Sequence, residues 1–532
     1  MKSRSAKSSI PIPIPIPISI FFLLISYFLT GCSPSSTPVI RMDIGGPVRN
    51  LDPQFATDPT ARMVLANLFE GLMVKSPDGS VRPGAAGKAE VSASGLVYTF
   101  TLREDARWQD GEPVTAQDFI FAFQRLFSPY APSPFARYFL DISNAGRVMD
   151  GTASLTDLGV NARGPGVVVF TLERPNPDFL QLLAGTPALP CNRRAFEESR
   201  GRYGLETRYV FSNGPFILRQ WDNARFLHLD RNEQFREEKK ALPGRVTLYI
   251  GRENPVKQFL DGRSDLVLIP SERLGEVSER QADFIPVERT VWALVFNQNA
   301  PPWGNPLLRQ SLAMTIDRTL YEEALPYNLR ATGAFIPPAM LSEGESFRAL
   351  AGSPAPLEFN AAHGHRIFRR GLEIIGDDRL PETTLITPEA HAPRMESVQA
   401  GWIRHLNADV EIVPAPPAEI SERLRTGNYS IMLMPFSAAQ PSPGALLQYF
   451  HSTVNRFGYN NPRFDHTLAA AQGASPRELA RFYKTAENML LEDAALIPVY
   501  FETSYYALTP GLTGVEIFPF GGKILFQNAQ KE

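Results

Sequence analysis

The sequence predicts a mixed α/β protein of two or three lobes, and three observations carry that prediction. Short apolar segments of strand length alternate with helical stretches along the whole chain, the pattern of layered α/β lobes. The chain has 532 residues, 43% of them hydrophobic. That is enough for several cores at about 150 residues each. Only two cysteines are present, Cys32 and Cys191, so stability must come from packing rather than from a disulfide framework. The net charge of −3 argues against nucleic acid as a partner and offers no basic face to an anionic lipid surface.

Taken in chain order, the first element is an export signal. Lys2, Arg4 and Lys7 precede the repeat IPIPIPIPI and an uninterrupted apolar run from Ile18 to Leu29. That run is short of the ~20 residues that a membrane-spanning helix needs. The alternating prolines lack backbone donors and predict a stiff extended lead-in. The run closes on Leu29-Thr30-Gly31-Cys32, which resembles a bacterial lipobox, followed by the tether SPSSTP. The resemblance implies lipidation of Cys32 and cleavage just before it, with two or three acyl chains giving a durable anchor. The alternative is an ordinary signal with a chance cysteine there. With Cys32 lipidated, Cys191 has no partner, and a buried, inert thiol is its expected state.

Candidate strands follow in the body: LVYTFTL, GVVVFTL, RFLHLD, RVTLYI, SDLVLI, VWALVFN, DVEIV, YSIMLM and IPVYF. Helix starts are well marked. Asn305 is placed to cap a helix with Pro306 at its first position and Leu308, Leu312 and Ile316 on one face. Ser475 and Glu478 have capping-box spacing, with Leu479, Phe482, Ala486 and Met489 as the expected apolar stripe. In ARWQDGEPVTAQDFIFAFQRLF, residues 106–127, three acids invite a catalytic reading. Asp110-Gly111 instead reads as a turn, Thr115 and Asp118 as a helix start, and Phe119, Ala122, Phe123, Leu126 and Phe127 as its apolar face. Glu112 reads as solvated. The acids are scaffold.

The segment LVYTFTLREDARWQDGEPVTAQDFIFAFQRLFSP resembles the signature region of family-5 extracellular solute-binding proteins of the oligopeptide-binding type. The likeness continues through NLDPQFATDP, SPFARYFLDI, SNGPFILRQW, FNQNAPPWGNPLLRQSLAMTIDR and AENMLLEDAALIPVYF, in order along nearly the whole exported chain. It implies a two-lobed, type II-like periplasmic-binding-protein fold with an extra N-proximal domain and a ligand cleft between the lobes. The implied division is a signal at 1–31, a tether at 32–38 and lobe I at 39–62, 185–288 and 499–532. The extra domain II would take 63–184 and lobe III 289–498. The implied function is binding of peptides or another small solute, by a monomer anchored through lipid, for delivery to ABC permease and ATPase subunits. Lobe closure over the ligand would exclude water. No cofactor, metal or catalytic group is implied, and no G-x-S-x-G, H-E-x-x-H, P-loop or EF-hand pattern is present.

The resemblance also points to ligand-binding candidates and departs from the family at its charged ones. The family's loop Asp, which pairs with a peptide α-amino group, falls on Ala439; one strand Arg falls on Leu433, another Arg near Leu424, and a pocket Trp on Pro417. Arg423 and Arg425 stand beside Leu424 as alternatives. His391, in TPEAHAP, matches a family histidine near the peptide's C-terminal end. Neutral candidates are Phe436, Ser437 and Gln440 on the loop, Trp292 and Asn297 on a strand, and Tyr138 from the extra domain, the aromatics among them equally readable as core or pocket lining. A loop reading of His363-Gly364-His365 offers weak metal potential. A non-peptide or terminus-blocked ligand, and a lipoprotein receptor that does not transport, are the alternatives these departures keep open.

Overall fold

The computed structural model describes residues 38–532 apart from 78, 177, 237–239, 279, 327, 343–344, 439–441, 472–473 and 520–521. The export signal, Cys32, Ala439 and Gln440 lie outside the described residues. Among the described residues no helix is long and apolar enough to cross a membrane.

One sheet of eleven strands runs through the molecule. We number its strands in chain order: β1 (Val39–Ile44), β2 (Phe216–Asp222), β3 (Phe226–Arg231), β4 (Arg245–Ile250), β5 (Leu266–Ile269), β6 (Asp283–Phe296), β7 (Leu329–Ala331), β8 (Thr384–Pro388), β9 (Glu411–Ala415), β10 (Ile431–Ser437) and β11 (Leu496–Leu508). Their spatial order is β9-β8-β10-β6-β11-β5-β1-β4-β3-β2, with β7 added on β11. Parallel pairs, β1 with β4 and β5 and β8 with β9 and β10, occur on both sides of the antiparallel pair β6/β11. A separate four-stranded antiparallel sheet is made by Ala86–Val91, Val97–Leu102, Val167–Thr171 and Val160–Ala162, all within residues 86–171.

The run VWALVF in β6 shows no polar alternation because both of its faces are covered. Val291, Ala293 and Val295 enter one core, and Trp292, Leu294 and Phe296 enter the other. The period of two along a strand produces this partition, and it recurs in β10, where Met432 and Phe436 oppose Ile431 and Leu433. Both β6 and β11 extend well past their apolar runs, β6 back to Asp283 and β11 on to Leu508. These outer halves carry polar residues and were not expected as strand.

The helix starts follow the sequence reading. Asn305 accepts the Leu307 N–H at 3.0 Å, and Leu308, Leu312 and Ile316 are buried. Asp118 accepts from the Thr115 N–H at 2.8 Å and from its hydroxyl at 3.0 Å, closing a capping box at the head of Ala116–Leu126. Burial pushes the Asp118 carboxyl up, against the pull of those Thr115 bonds and one from Trp108. Asp110 accepts the Glu112 N–H at 3.1 Å and pairs with Arg194, while Gly111, at φ +90°, adopts a conformation that L side chains rarely tolerate. Two expectations need correction. The helix Pro476–Glu492 buries Ala480, Ala486, Glu487 and Leu490, with Leu479, Phe482 and Met489 only half-buried, because its inner face carries a buried carboxylate. His363 and His365 lie on the helix Ala361–Ile375, not in a loop, and His363 Nδ1 meets Arg366 at 3.1 Å.

That buried carboxylate is Glu487, which is fully shielded from solvent. It accepts the backbone N–H groups of Phe335 and Ile336 at 3.0 and 2.9 Å and the Arg348 guanidinium at 2.8 and 2.7 Å. Arg348 returns a bond to the Ile336 carbonyl at 2.6 Å. Truncating one partner of a buried pair leaves the other charge unpaired, which costs about 3–5 kcal/mol. Arg348→Ala is therefore expected to lower the unfolding free energy by that amount, seen as a lower urea midpoint with little change in slope. A variant unfolding within 1 kcal/mol of the parent would contradict this reading.

Candidate ligand-binding site

A cavity of about 540 Å³ opens where three distant parts of the chain meet. The helix Pro59–Leu68 is started by Asp58, whose side chain accepts the Ala61 N–H at 2.7 Å, with Pro59 in the first turn. It turns Arg62, Met63, Ala66 and Asn67 to the cavity, the i, i+4 spacing of one helical face. The hairpin Met73–Lys75/Val81–Pro83 adds Lys75 and Arg82, and the turn Ala136–Phe139 brings Tyr138 beside Phe135. Ala339 and Leu341 reach it from the stretch that Glu487 restrains, and Lys523 and Leu525 come from the C-terminal segment.

Asn67 locks that last segment in place. Its side-chain amide is buried and donates to the Ile524 carbonyl at 2.8 Å, while its oxygen accepts the Phe526 N–H at 3.1 Å. Glu70 also lines the cavity, and its carboxylate is held bidentate by Arg236 at 2.5 and 2.5 Å. Burial first, then the charge of Lys75, push the Lys523 amine down to about 8, against the pull of Glu516. Burial likewise lowers Lys75, opposed by Asp178, and lowers Arg62, opposed by Asp58.

A second feature joins two of the sequence candidates on β6 and the helical turn at Glu389–His391. Trp292 stands opposite Tyr500 in the β6/β11 register. The His391 ring lies 3.8 Å from the Trp292 ring centre to centre, and its Nδ1 is 2.6 Å from the Tyr500 hydroxyl. Trp292 Nε1 donates to Glu502 at 2.7 Å. Burial first, then the neighbouring Tyr321 and Glu502, hold the Tyr500 hydroxyl well above its ordinary range, so the group stays protonated and can donate to His391. The Tyr321 hydroxyl beside it is buried with no hydrogen-bond partner among the described residues.

The other candidates are placed apart. Tyr138, 46% exposed, lines the cavity and is hydrogen-bonded by Arg137 at 3.1 Å. Phe436 packs at 5.3–5.6 Å from Phe335, Tyr449 and Phe450 in the core, and is 2% exposed. Ser437 is exposed at the end of β10, with its carbonyl accepting from Tyr449 at 3.3 Å. Asn297 ends β6 and donates to the Gly427 carbonyl at 2.8 Å. Leu433 is fully buried in the sheet core. Arg423 is engaged by Glu419 at 2.7 Å and Arg425 by Glu422 at 2.6 Å, both within one helix. The cavity-lining Lys75, Arg82 and Lys523 were not among the sequence candidates. A lone lysine in a hairpin or a C-terminal tail carries no signal of its own.

The lobed α/β architecture is shared with solved binding proteins. The unliganded open form of the periplasmic murein tripeptide-binding protein MppA matches with a TM-score of 0.74 and 25% identity, over 94% of this chain and 99% of that one. In sequence, the oligopeptide-binding protein OppA of Bacillus subtilis is 27% identical over 90% of each chain. The periplasmic murein peptide-binding protein MppA of Escherichia coli is 28% identical over 88% of each. The fold is that of a periplasmic binding protein. Residues 80–458 match the model for bacterial extracellular solute-binding proteins, family 5 Middle, and the chain belongs to that family, whose members bind solutes and are not enzymes.

Removing the His391 partner gives a direct check on the β6/β11 feature. Tyr500→Phe deletes one hydrogen bond and leaves Nδ1 to find another, so a loss of about 0.5–1.5 kcal/mol is expected from denaturant unfolding. An unchanged midpoint would mean that the contact contributes nothing to stability.

Proposed function

We propose that this protein is the solute-receiving subunit of an ABC importer and that its solutes are peptides. The observation that carries the reading is the family match over residues 80–458 together with a cavity closed by three separated stretches of chain. A binder of this kind needs an enclosed volume, backbone groups and a few placed side chains, not an activated nucleophile. The one described thiol fits that requirement: burial pushes Cys191 up to about 11, against Arg125, and it is inert. We assign lobe I to 39–62, 185–288 and 499–532, domain II to 63–184 and lobe III to 289–498. In support, the joints at 288/289 and 498/499 fall inside β6 and β11, the strands that run through both halves, and the four-stranded sheet falls within 63–184. The lipobox-like Leu29–Cys32 supports an acyl anchor at Cys32 facing the periplasm or exterior.

A second reading, a non-peptide or terminus-blocked solute, is favoured by one observation. The positions where the family carries charged clamps hold Ala439 and Leu433 here, and the nearby Arg423 and Arg425 are held in helical ion pairs. An ammonium enclosed without a counter-charge would lose several kcal/mol of solvation.

The test is to express residues 33–532, purify gently, and identify by mass spectrometry what denaturation releases. A mixture of short peptides is expected; a single non-peptide species would replace the peptide reading with the second one. For the anchor, full-length Cys32→Ser is expected to move from the membrane pellet to the soluble fraction of the exported protein. Its retention in the pellet would remove the lipid assignment.

A further inference from the structure

Among the described residues the cavity wall is cationic, tempered only at a distance by Asp58, Asp178 and Glu516. Arg62, Lys75, Arg82 and Lys523 line it, and among the described residues none has a carboxylate within ion-pair distance. The described lining holds one carboxylate, Glu70, and Arg236 already occupies it through two bonds of 2.5 Å. Elsewhere several buried cations are ion-paired, Arg125 with Asp52, Arg252 with Asp43 and Arg348 with Glu487, while Arg309 and Arg318 instead donate to backbone carbonyls. Among the described residues Lys75, Arg82 and Lys523 have neither kind of side-chain partner. Like charges gathered in one partly desolvated wall repel, and an anion entering the cavity relieves that repulsion at low effective dielectric.

We propose that this cavity receives a carboxylate of the solute, held by Lys75 and Lys523 with Arg62 and Arg82 reinforcing the potential. The proposal rests on the peptide-binding reading above and deepens it. The positioning supports it. Asn67 fixes the backbone at Ile524 and Phe526 on either side of Leu525, which sets where Lys523 enters, and Lys523 Nζ also lies 4.6 Å from the Phe518 ring. The carboxylate could be an acidic side chain or the peptide's C-terminus; the chemistry is the same, and the test separates them.

Isothermal titration with Ala-Glu-Ala, Ala-Gln-Ala and the C-terminal amide of Ala-Gln-Ala decides the matter. A preference of tenfold or more for Glu over Gln assigns the site to a side chain, and a tenfold or greater loss on amidation assigns it to the terminus. Either preference should vanish in Lys75→Gln/Lys523→Gln, while that variant keeps the parent's unfolding midpoint. Affinities within twofold across the set, or a preference that survives the double substitution, overturn the proposal. If no peptide binds, the peptide reading itself falls, and glutarate then tests the site alone. Saturable glutarate binding abolished by the double variant upholds the acidic site; no saturable binding overturns it.

The pH dependence is a second readout. The charges that act on Lys523 are Lys75, Arg82 and Glu516, and Asp178 acts on Lys75. With Lys523 at about 8, the amine loses its proton between pH 7 and 9.5. The ratio of acidic to neutral affinity should fall several-fold over that range, and using the ratio cancels titration of the peptide's own α-amino group. A ratio constant with pH would remove Lys523 from the site.

Discussion

The antiparallel pairing of β6 with β11 is the constraint on which the rest of the structure depends. The two strands are hydrogen-bonded from Asp283 opposite Leu508 to Val295 opposite Leu496, and they carry the sheet from one half of the molecule into the other. Each sends alternate residues into two different cores, so a slip of one residue would exchange the contents of both. The register shifts between Glu288 and Thr290 and between Trp292 and Ala293 are absorbed within this pairing. They leave Trp292 facing Tyr500, and His391 closes on that pair from the turn at the end of β8. The contact of Trp292, His391 and Tyr500 at the crossing strands is therefore a by-product of the register that holds the two halves together.

Charge is used in two ways. Where the fold needs a fixed loop, a buried ion pair supplies it: Glu487 with Arg348 pins the backbone at 335–336, upstream of the cavity-lining Ala339 and Leu341. Arg125, between Asp52, Gln54 and the rings of Phe196 and Tyr203, ties the helix Ala116–Leu126 to the stretch after β1. Such pairs contribute more to a unique arrangement than to net stability, since desolvation offsets most of their attraction. In the cavity wall, by contrast, Lys75, Arg82 and Lys523 have no ion-pair partner among the described residues. That contrast is what the proposed anionic site rests on, and it needs no reactive group.

Much of this was legible in the residues. The capping boxes at Thr115 and Ser475, the Asn305-Pro306 start and the nine apolar strand segments depend on local spacing, and local spacing survives folding. Less was legible at the site. Phe436 and Tyr138 are both aromatic residues in variable-looking stretches, yet one is locked among core rings and the other is 46% exposed beside the cavity. The outer halves of β6 and β11 mix polar residues such as Glu288, Thr503 and Ser504 with buried apolar ones such as Val287 and Ala507, so their strand character comes from pairing and not from pattern. His363 and His365 seemed to sit in a loop because a glycine separates them, but Gly364 is buried against Thr315 and Ser311, a close helix contact in which a larger side chain would crowd.

By itself, the sequence determined the α/β class, the export signal pattern, most helix starts, the family resemblance and the absence of familiar catalytic motifs. All of these follow from residues close together in the chain. Only the tertiary structure decided which residues share a cavity. Arg62, Lys75, Tyr138, Ala339 and Lys523 come from segments up to hundreds of positions apart, and nothing in their local sequence distinguishes them from solvated surface. The property shared by Arg62, Lys75, Arg82 and Lys523, a cation with no ion-pair partner among the described residues in a partly enclosed volume, belongs to the arrangement and not to any one stretch of chain.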